Sequence, residues 1–294
     1  MQKITPHIWF NTQAKEASEF YKAVFPDSKT NFSYIMEDTP SGIVDVIGVQ
    51  LLDFDFVFIS AGPIFTPNAS ISFMVLCEIA EEVEKYWEQF SESAKILMPL
   101  DKYDFSEKYG WLEDKFGVSW QFILSGGPVT QKIIPSLLFV GELCGKAKEA
   151  AEHYTSIFKK SELRTLYPYG PEQKENNPEH IMYGDFKLED VLISVMDSGL
   201  QHNFAFNEGI SLIVNCETQE EVDYYWQKLS ADPKSEQCGW LKDKFGVSWQ
   251  VVPVMLDQLY AEGDKVKNAN LTQALLEMKK FDIAELEAAY HEIG

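Results

Sequence analysis

A twelve-residue segment occurs twice in this chain and constrains its fold more than any other feature. GWLEDKFGVSWQ at 110–121 returns as GWLKDKFGVSWQ at 239–250, with only Glu113 replaced by Lys242. Further pairs of segments recur in the same order: AKEASEFYKAVF (14–25) with AKEAAEHYTSIF (147–158), and FTPNASISFMVLC (65–77) with FAFNEGISLIVNC (204–216). Since chance similarity does not preserve order, the sequence is a tandem duplication.

Each half contains two smaller units of alternating structure. ITPHIWF (4–10) has the composition of a short strand, and the apolar residues Ala17, Tyr21 and Val24 then recur at helical spacing. Three strand-like runs follow, and the pattern restarts at SISFMVLC. We therefore predict an α+β fold with the order β-α-β-β-β twice per half and four times in the chain. Because a helix with one apolar stripe covers a sheet face, two units side by side predict a curved mixed sheet with an inner cleft.

The repeats suggest where the domains begin and end. The segment SGGPVTQK (125–132) has the composition of a linker, and the residues after Pro253 have no counterpart in the first half. We predict two repeat domains, at 1–126 and 132–254. A helical tail at 255–294 follows, with two amphipathic helices packed back on the body.

Charge and composition exclude several classes of protein. The 294 residues include 25 basic and 46 acidic side chains, and the net charge of −21 would repel a polyphosphate, so nucleic acid is not an expected partner. The sequence contains no apolar run of the ~18–20 residues that a membrane helix needs, so no membrane partner is expected. No charged leader precedes an apolar run near Met1, and the four cysteines lack C-x-x-C spacing. A cytoplasmic protein with reduced thiols is the resulting expectation.

The repeated blocks resemble a known family. MPLDKYDFSEKYGWLEDKFGVSWQF (98–122), GWLKDKFGVSWQVVP (239–253) and MKKFDIAELEAAY (278–290) are similar to the PhnB-like branch of the vicinal oxygen chelate superfamily. That superfamily contains glyoxalases, bleomycin resistance proteins and dihydroxybiphenyl dioxygenases, and the branch is often labelled 3-demethylubiquinone-9 3-methyltransferase. The resemblance implies a cleft for a small molecule. The resemblance does not support a methyltransferase activity, because the sequence contains no G-x-G-x-x-G loop for a methyl-donor nucleotide.

The resemblance also implies where a metal would be held. Catalytic members of the superfamily bind one divalent ion through four side chains, mostly His and Glu, from the first and last strands of the paired units. The matching residues are His7, Ser60, Ser70 and Gln121 in the first half, and Ser136, Gly209 and Gln250 in the second. Since these sets lack anionic donors, no cofactor is expected. A divalent metal held by His7 and Gln121, the weak candidates, is the alternative.

These observations favour a small-molecule-binding protein that uses the first cleft. His7 and Gln121 are predicted to point into that cleft, with Trp9, Tyr34 and Trp120 as its walls. Ser60, Ser70 and Gln250 complete the candidate ligand-cleft residues. Tyr103, Phe105 and Tyr109, which the second half lacks, would form either a lid over an apolar or aromatic ligand or a hairpin extension packed on the other half.

The sequence leaves the activity open. The alternatives are a metal-dependent enzyme of the glyoxalase or dioxygenase type and a non-enzymatic sequestering or interaction module. In each case the two halves would form a pseudo-dimer within one chain, and further oligomerisation is left open. The Asp-Lys-Phe-Gly segments at 114–117 and 243–246 are predicted to be hairpin turns rather than catalytic groups.

Overall fold

The computed structural model describes residues 2–173 and 176–292. The first half contains β1 (Ile4–Phe10), α1 (Ala14–Val24), β2 (Lys29–Thr39), β3 (Gly42–Leu51), β4 (Phe54–Ser60), β5 (Ile71–Cys77), α2 (Ala80–Phe90), β6 (Lys95–Tyr103), β7 (Ser106–Glu113) and β8 (Ser119–Leu124). The second half contains β9 (Ile133–Val140), α3 (Ala147–Ile157), β10 (Ser161–Pro168), β11 (Ile181–Leu188), β12 (Val191–Ser198), β13 (Ile210–Cys216), α4 (Gln219–Leu229), β14 (Trp240–Lys242) and β15 (Ser248–Pro253). The tail forms α5 (Met255–Glu262), α6 (Lys265–Glu277) and α7 (Ile283–His291).

The fourth unit departs from the predicted β-α-β-β-β pattern. It contains only β13, α4, β14 and β15, because the segment that forms β6 in the first half is shortened here to DPKSEQC (232–238). Within that segment, Pro233–Ser235 forms a single 3-10 turn. A segment this short cannot form a nine-residue strand like β6. The predicted β-α-β-β-β order is therefore wrong for the fourth unit.

The strands form two mixed sheets, and each sheet combines both halves. Sheet A has the order β14-β15-β13-β1-β4-β3-β2, and sheet B has the order β10-β11-β12-β9-β5-β8-β7-β6. The halves meet where β1 runs antiparallel to β13, with His7 opposite Ser211. The equivalent junction in sheet B pairs β5 with β9, with Ser72 opposite Ser136. Each sheet therefore contains the first unit of one half and the second unit of the other.

One face of each sheet holds the main hydrophobic core. Because neighbouring residues of a strand point to opposite faces, Trp120 of β8 packs on the helix side, where its ring lies 5.2 Å from Tyr21 of α1 and 5.2 Å from Phe90 of α2. Gln121, the next residue, points to the other face. This alternation separates the core from the residues that face a cleft.

The repeated segment forms a turn with a buried carboxylate. Asp114 accepts hydrogen bonds from the Tyr21 hydroxyl at 2.6 Å and the Trp120 indole at 3.1 Å, and from the backbone amides of Phe116 and Val118. Gly117 closes the turn at a φ of 81°. In the second half, Asp243 accepts the four equivalent bonds, again including a tyrosine hydroxyl and an indole. The predicted structural role of both segments is consistent with these contacts, which join a helix, a turn and a strand.

The loops before β5 and β13 cross between the halves. The Asn68 side chain donates to the Ala205 carbonyl, and Asn207 donates to the Thr66 carbonyl, both at 3.0 Å. A Cβ atom on Gly209 would overlap the Thr66 backbone, so only glycine fits there. This close approach explains why the second half has glycine where the first half has a serine.

The C-terminal helices form a roof over sheet A. Helix α5 follows β15 directly and, with α6, packs on β2 at the opposite edge of the sheet. The chain then returns to β14, where the Cys238 and Gly239 amides donate to the carbonyls of Met278 and Lys279. The tail thus contains three helices rather than the two expected. Among the described residues, no helix has the length and apolar character needed to cross a membrane. The domain limits 1–126, 132–254 and 255–294 stay predictions.

Candidate ligand-binding cavity

A cavity of about 520 Å³, here called cavity A, lies between sheet A and the roof. Trp240 from one edge of the sheet and Tyr34 from the other edge both line it, so the sheet curves around it. Leu256, Tyr260 and Phe281 of the roof complete the walls. Cavity A is mostly apolar and falls in the range of ligand pockets in proteins, about 300–1,000 Å³.

His7 is the central polar side chain of cavity A. It lies on β1 next to the junction of the two halves, is only 4% exposed, and packs edge-on against the Trp240 ring at 5.3 Å. Burial lowers the pKa of its imidazole to about 3, so the ring is neutral at pH 7. The Nδ1 atom is fully buried and has no hydrogen-bond partner among the described residues. Since His7 lines cavity A, its neutral ring is a candidate hydrogen-bonding group for a ligand.

Gln250 provides a second polar group beside His7. Its Nε2 donates to Ser211 Oγ at 3.0 Å, and Ser211 is the cross-strand neighbour of His7. No described protein group donates to Gln250 Oε1. In the first half the corresponding atom, Gln121 Oε1, accepts a bond from the Tyr109 hydroxyl at 2.8 Å. The second half has Cys238 where Tyr109 stands, so the amide oxygen in cavity A is left available.

Two groups of aromatic rings face each other across cavity A. On the β1 and β14 side, the Trp9 and Trp240 rings lie 6.3 Å apart, and the Trp9 indole is anchored by a 2.8 Å bond to the Gly62 carbonyl. On the β2 side, Phe32, Tyr34 and Tyr260 form a continuous stack, with 4.6 Å between the two tyrosines. Aromatic side chains therefore line cavity A on more than one side.

In sheet B, most polar side chains at the positions equivalent to His7 and Gln250 hydrogen-bond to other protein groups. Tyr109 donates to Gln121, and Gln121 Nε2 donates to Ser72 Oγ at 2.6 Å. Next to them, the hydroxyls of Ser136 and Ser194 bond to each other. The exception is the buried Asp185: its Oδ1 atom has no partner in the described part of the chain, although its other oxygen pairs with Arg164. The two faces therefore differ in how many polar groups are free for a ligand.

Comparison with known proteins identifies the family. The family model described as 3-demethylubiquinone-9 3-methyltransferase matches residues 2–123 and again residues 131–252. The chain belongs to this family. A solved PhnB protein from Bacillus cereus, described as a putative 3-demethylubiquinone-9 3-methyltransferase, shares 33% identity; the match covers 42% of this chain and 100% of that one, with a TM-score of 0.40. No curated protein matches the chain.

A more distant likeness covers most of the chain. Glyoxalase I from Zea mays matches with a TM-score of 0.54 at 8% identity, over 87% of this chain and 95% of that one. At that identity the likeness shows the fold alone. Together with the two matches of the family model, it confirms the predicted PhnB-like, tandem vicinal oxygen chelate fold with paired modules and mixed sheets.

The fold family implies a metal site, and the residues present do not fit one. Because each sheet combines both halves, the four facing positions in sheet A are His7 and Val57 from the first half with Ser211 and Gln250 from the second. One imidazole, one hydroxyl, one amide and a valine lack the anionic donors that hold a divalent ion against water.

Sheet B fits a metal even less well. The positions equivalent to those in sheet A hold Ser72, Gln121, Ser136 and Ser194, which are three hydroxyls and one amide. Among the residues that the structure describes, no group of three or more His, Cys, Asp or Glu side chains is placed to hold a metal.

The structure separates the predicted site residues into two sheets. His7, Trp9, Tyr34 and Gln250 line cavity A, whereas Gln121 lies in sheet B. The prediction that His7 and Gln121 share one cleft is therefore wrong, because the sheets pair units from different halves.

Three further predicted cleft residues lie elsewhere. Trp120 is a wall of the helix-side core, and its indole donates to Asp114. Ser60 Oγ accepts from the Ala14 amide at the start of α1. Ser70 is buried in the loop before β5, where its amide donates to Asn68. The cleft-facing serines are instead Ser72 and Ser211, two positions further along the chain than the alignment placed them.

The aromatic residues proposed as a lid form a hairpin. Tyr103 and Phe105 stack at 5.6 Å where β6 turns into β7, and Phe105 packs edge-on against Tyr109 at 4.9 Å. The structure contains a hairpin whose strand β7 packs on β8 and α2 of the same half, and the lid role stays a prediction. The hairpin lies at the edge of sheet B, away from His7.

Sequence reasoning missed Trp240, Asp257 and Tyr260, all of which line cavity A. Trp240 could have been found, since it lies opposite Gln250 in the hairpin that the repeated segment predicts. The two tail residues carried no signal, because nothing in the sequence indicated that the tail crosses the cleft.

Proposed function

We propose that this chain binds a small organic molecule in cavity A. The observation that carries the proposal is the difference between the two sheets. In sheet A, His7 Nδ1 and Gln250 Oε1 have no hydrogen-bond partner among the described residues, and both residues line a cavity of ligand size. Most of the corresponding groups in sheet B bond to one another.

The ligand in this proposal is held mainly by shape and apolar contact. The aromatic groups around Trp240 and Tyr34 would contact a ring system on its two sides. His7 and Gln250 would fix its orientation, because each can hydrogen-bond a polar substituent without carrying a charge. The serine-rich face of sheet B is assigned a supporting role.

Metal-dependent lyase or dioxygenase chemistry is not part of the proposal, because the donor set in either sheet does not fit a divalent ion. Methyl transfer, which the family description names, is not part of it either. Since both halves already contribute to cavity A, a second copy of the chain is not needed to complete the site. A cytoplasmic location belongs to the same proposal and is supported by four free cysteines.

A ligand screen by thermal shift tests this function. A molecule that binds only the folded chain raises its stability, by about 2.7 kcal/mol at a concentration 100 times its dissociation constant. We expect hits whose shift is lost in His7→Ala and retained in Ser136→Ala. Ser136 is a matched control because it occupies the position equivalent to His7 in sheet B. Hits that depend on Ser136 and not on His7 would overturn the assignment to cavity A.

A further inference from the structure

A carboxylate from the roof enters cavity A. Asp257 lies on α5 and lines the cavity, and its Oδ1 accepts a 2.8 Å hydrogen bond from the Tyr34 hydroxyl on β2. Among the described residues this hydroxyl is its only hydrogen-bond partner. One neutral donor leaves most of the hydrogen-bonding capacity of a carboxylate unused.

Among the residues that the structure describes, no positive side chain lines cavity A to balance this carboxylate. The described residues around cavity A include Asp55 and Asp257 but no lysine or arginine, and the His7 ring is neutral. Asp55 differs from Asp257 because its Oδ1 accepts bonds from the side-chain amides of Asn31 and Gln50. Asp257 is thus the carboxylate in the cavity with the fewest partners.

Aromatic rings surround the same region. Tyr34 and Tyr260 stack beside Asp257, and Trp9 and Trp240 lie on the opposite wall. The faces of such rings carry partial negative charge and attract cations, most strongly where water is excluded. A carboxylate next to several aromatic rings is a combination that favours an organic cation.

The charge state of Asp257 supports the same conclusion. Burial raises the pKa of its carboxyl to about 6, and the Tyr34 hydroxyl opposes the rise, so the group is ionised at pH 7. A neutral ligand would remove water from this carboxylate without pairing it, and an anion would add repulsion. A cation would instead supply the missing counter-charge.

We propose that the ligand of cavity A is an organic cation, a protonated or quaternary amine on an aromatic or alicyclic body, whose positive charge pairs with Asp257. This inference rests on the proposed function, since it names the ligand class of the same cavity. The cationic group lies toward the roof beside the Asp257 carboxylate, and the ring lies between the aromatic walls.

Three probes of nearly equal shape test the inference: 1-naphthylmethylammonium, 1-naphthylmethanol and 1-naphthoate. Isothermal titration calorimetry on the full chain at about 0.15 M salt, where charges beyond about 8 Å are screened, gives their affinities. We expect the ammonium to bind about 10- to 100-fold more tightly than the alcohol, as for a hydrogen bond to a charged group. The naphthoate should bind most weakly.

Variants distinguish the effect of the Asp257 carboxylate on ligand affinity from the effect of the net charge of −21. Asp257→Asn keeps an acceptor for Tyr34 and should reduce the preference for the ammonium over the alcohol to about threefold or less. Glu262→Gln removes the same charge from an exposed residue of the same helix and should leave the preference unchanged. Tyr34→Phe keeps the carboxylate but removes the hydroxyl that opposes the rise in its pKa, so it should keep the preference at a pH high enough to ionise Asp257.

Each outcome decides the inference. Equal affinity of ammonium and alcohol overturns it while leaving binding in cavity A intact, because the alcohol still binds. A preference that survives in Asp257→Asn, or that falls equally in Glu262→Gln, also overturns it. If none of the three probes binds, the cation assignment fails, and the thermal-shift screen with His7→Ala still decides separately whether cavity A binds a ligand.

Discussion

At the scale of single residues, His7 and Ser136 show how the two clefts differ. His7 and Ser136 occupy corresponding places at the two junctions between the halves. Ser136 bonds Ser194 on the neighbouring strand, whereas His7 lies beside Val57, and its Nδ1 has no partner among the described residues. The family resemblance identified His7 as a cleft residue through its match to a ligand position in the first strand. It could not show the burial that keeps the ring neutral.

Burial of His7 predicts a pH dependence of folding. Its pKa is about 3 in the folded chain and 6.5 when unfolded, so the stability from the neutral ring is complete above about pH 6.5 and is lost as the pH falls toward 3. We expect the free energy of unfolding of the wild type to fall, relative to His7→Gln, by about 2 kcal/mol between about pH 6.5 and about pH 5. Urea denaturation at both pH values measures this difference.

Ser136→Ala is the control for that experiment, since it changes the equivalent position without changing a titratable group. Its difference from the wild type should not depend on pH. Parallel pH profiles of the wild type and His7→Gln would contradict a neutral, buried imidazole.

At the scale of elements, the helices and strands of the repeated units followed from periodicity, and the less regular segments did not. Trp120 and Gln121 illustrate the limit, because alternation shows that they face opposite sides but not which side is the cleft. Helix α5 was missed because only Leu256, Leu259 and Tyr260 mark its apolar side in a short run after Pro253. Its partner surface lies on β2, more than 200 residues away, where local patterns carry no information.

The roof should unfold independently of the two sheets. Leu271 of α6 is fully buried in the small core that the roof forms with Tyr260 and Phe281. We expect Leu271→Ala to cost about 2–5 kcal/mol through the cavity it leaves. Hydrogen exchange should rise across residues 255–291 while β1 and β13 stay protected.

Gln273→Ala, an exposed substitution on the same helix, controls for effects on helix formation and should leave exchange nearly unchanged. Equal loss of protection in the roof and in the central strands of sheet A would show that they unfold as one unit instead.

At the scale of the whole molecule, the sequence predicted the duplication and the family but not the pairing of the units. Nothing in local patterns distinguishes a sheet made within one half from a sheet made between halves, since both bury the same apolar residues. The deciding contacts are the long-range pairs of β1 with β13 and of β5 with β9. Because the units pair between the halves, Gln250 lies in sheet A with His7, and Gln121 lies in sheet B.

This pairing predicts the behaviour of an isolated half. In residues 1–130 alone, β1 and β5 lose their partners from the second half, and their exposed edges favour pairing with another chain. We expect this fragment to form a homodimer in which β1 of one copy pairs with β5 of the other. Sedimentation equilibrium over a range of concentrations measures the mass.

Adding residues 131–294 should convert that homodimer partly into a 1–130/131–294 heterodimer, because the native partner strands are then available. A folded, monomeric 1–130 fragment would contradict the exchange of units between the halves.

The crossed arrangement of the halves also has an evolutionary consequence. In an assembly of two identical subunits, every inherited substitution alters both clefts at once, so neither can change without the other. Once the two copies became one gene, the corresponding positions could differ, as Tyr109 in one cleft and Cys238 in the other do. Selection could then favour a new chemistry in one cleft and rigidity in its twin, within the same inherited unit.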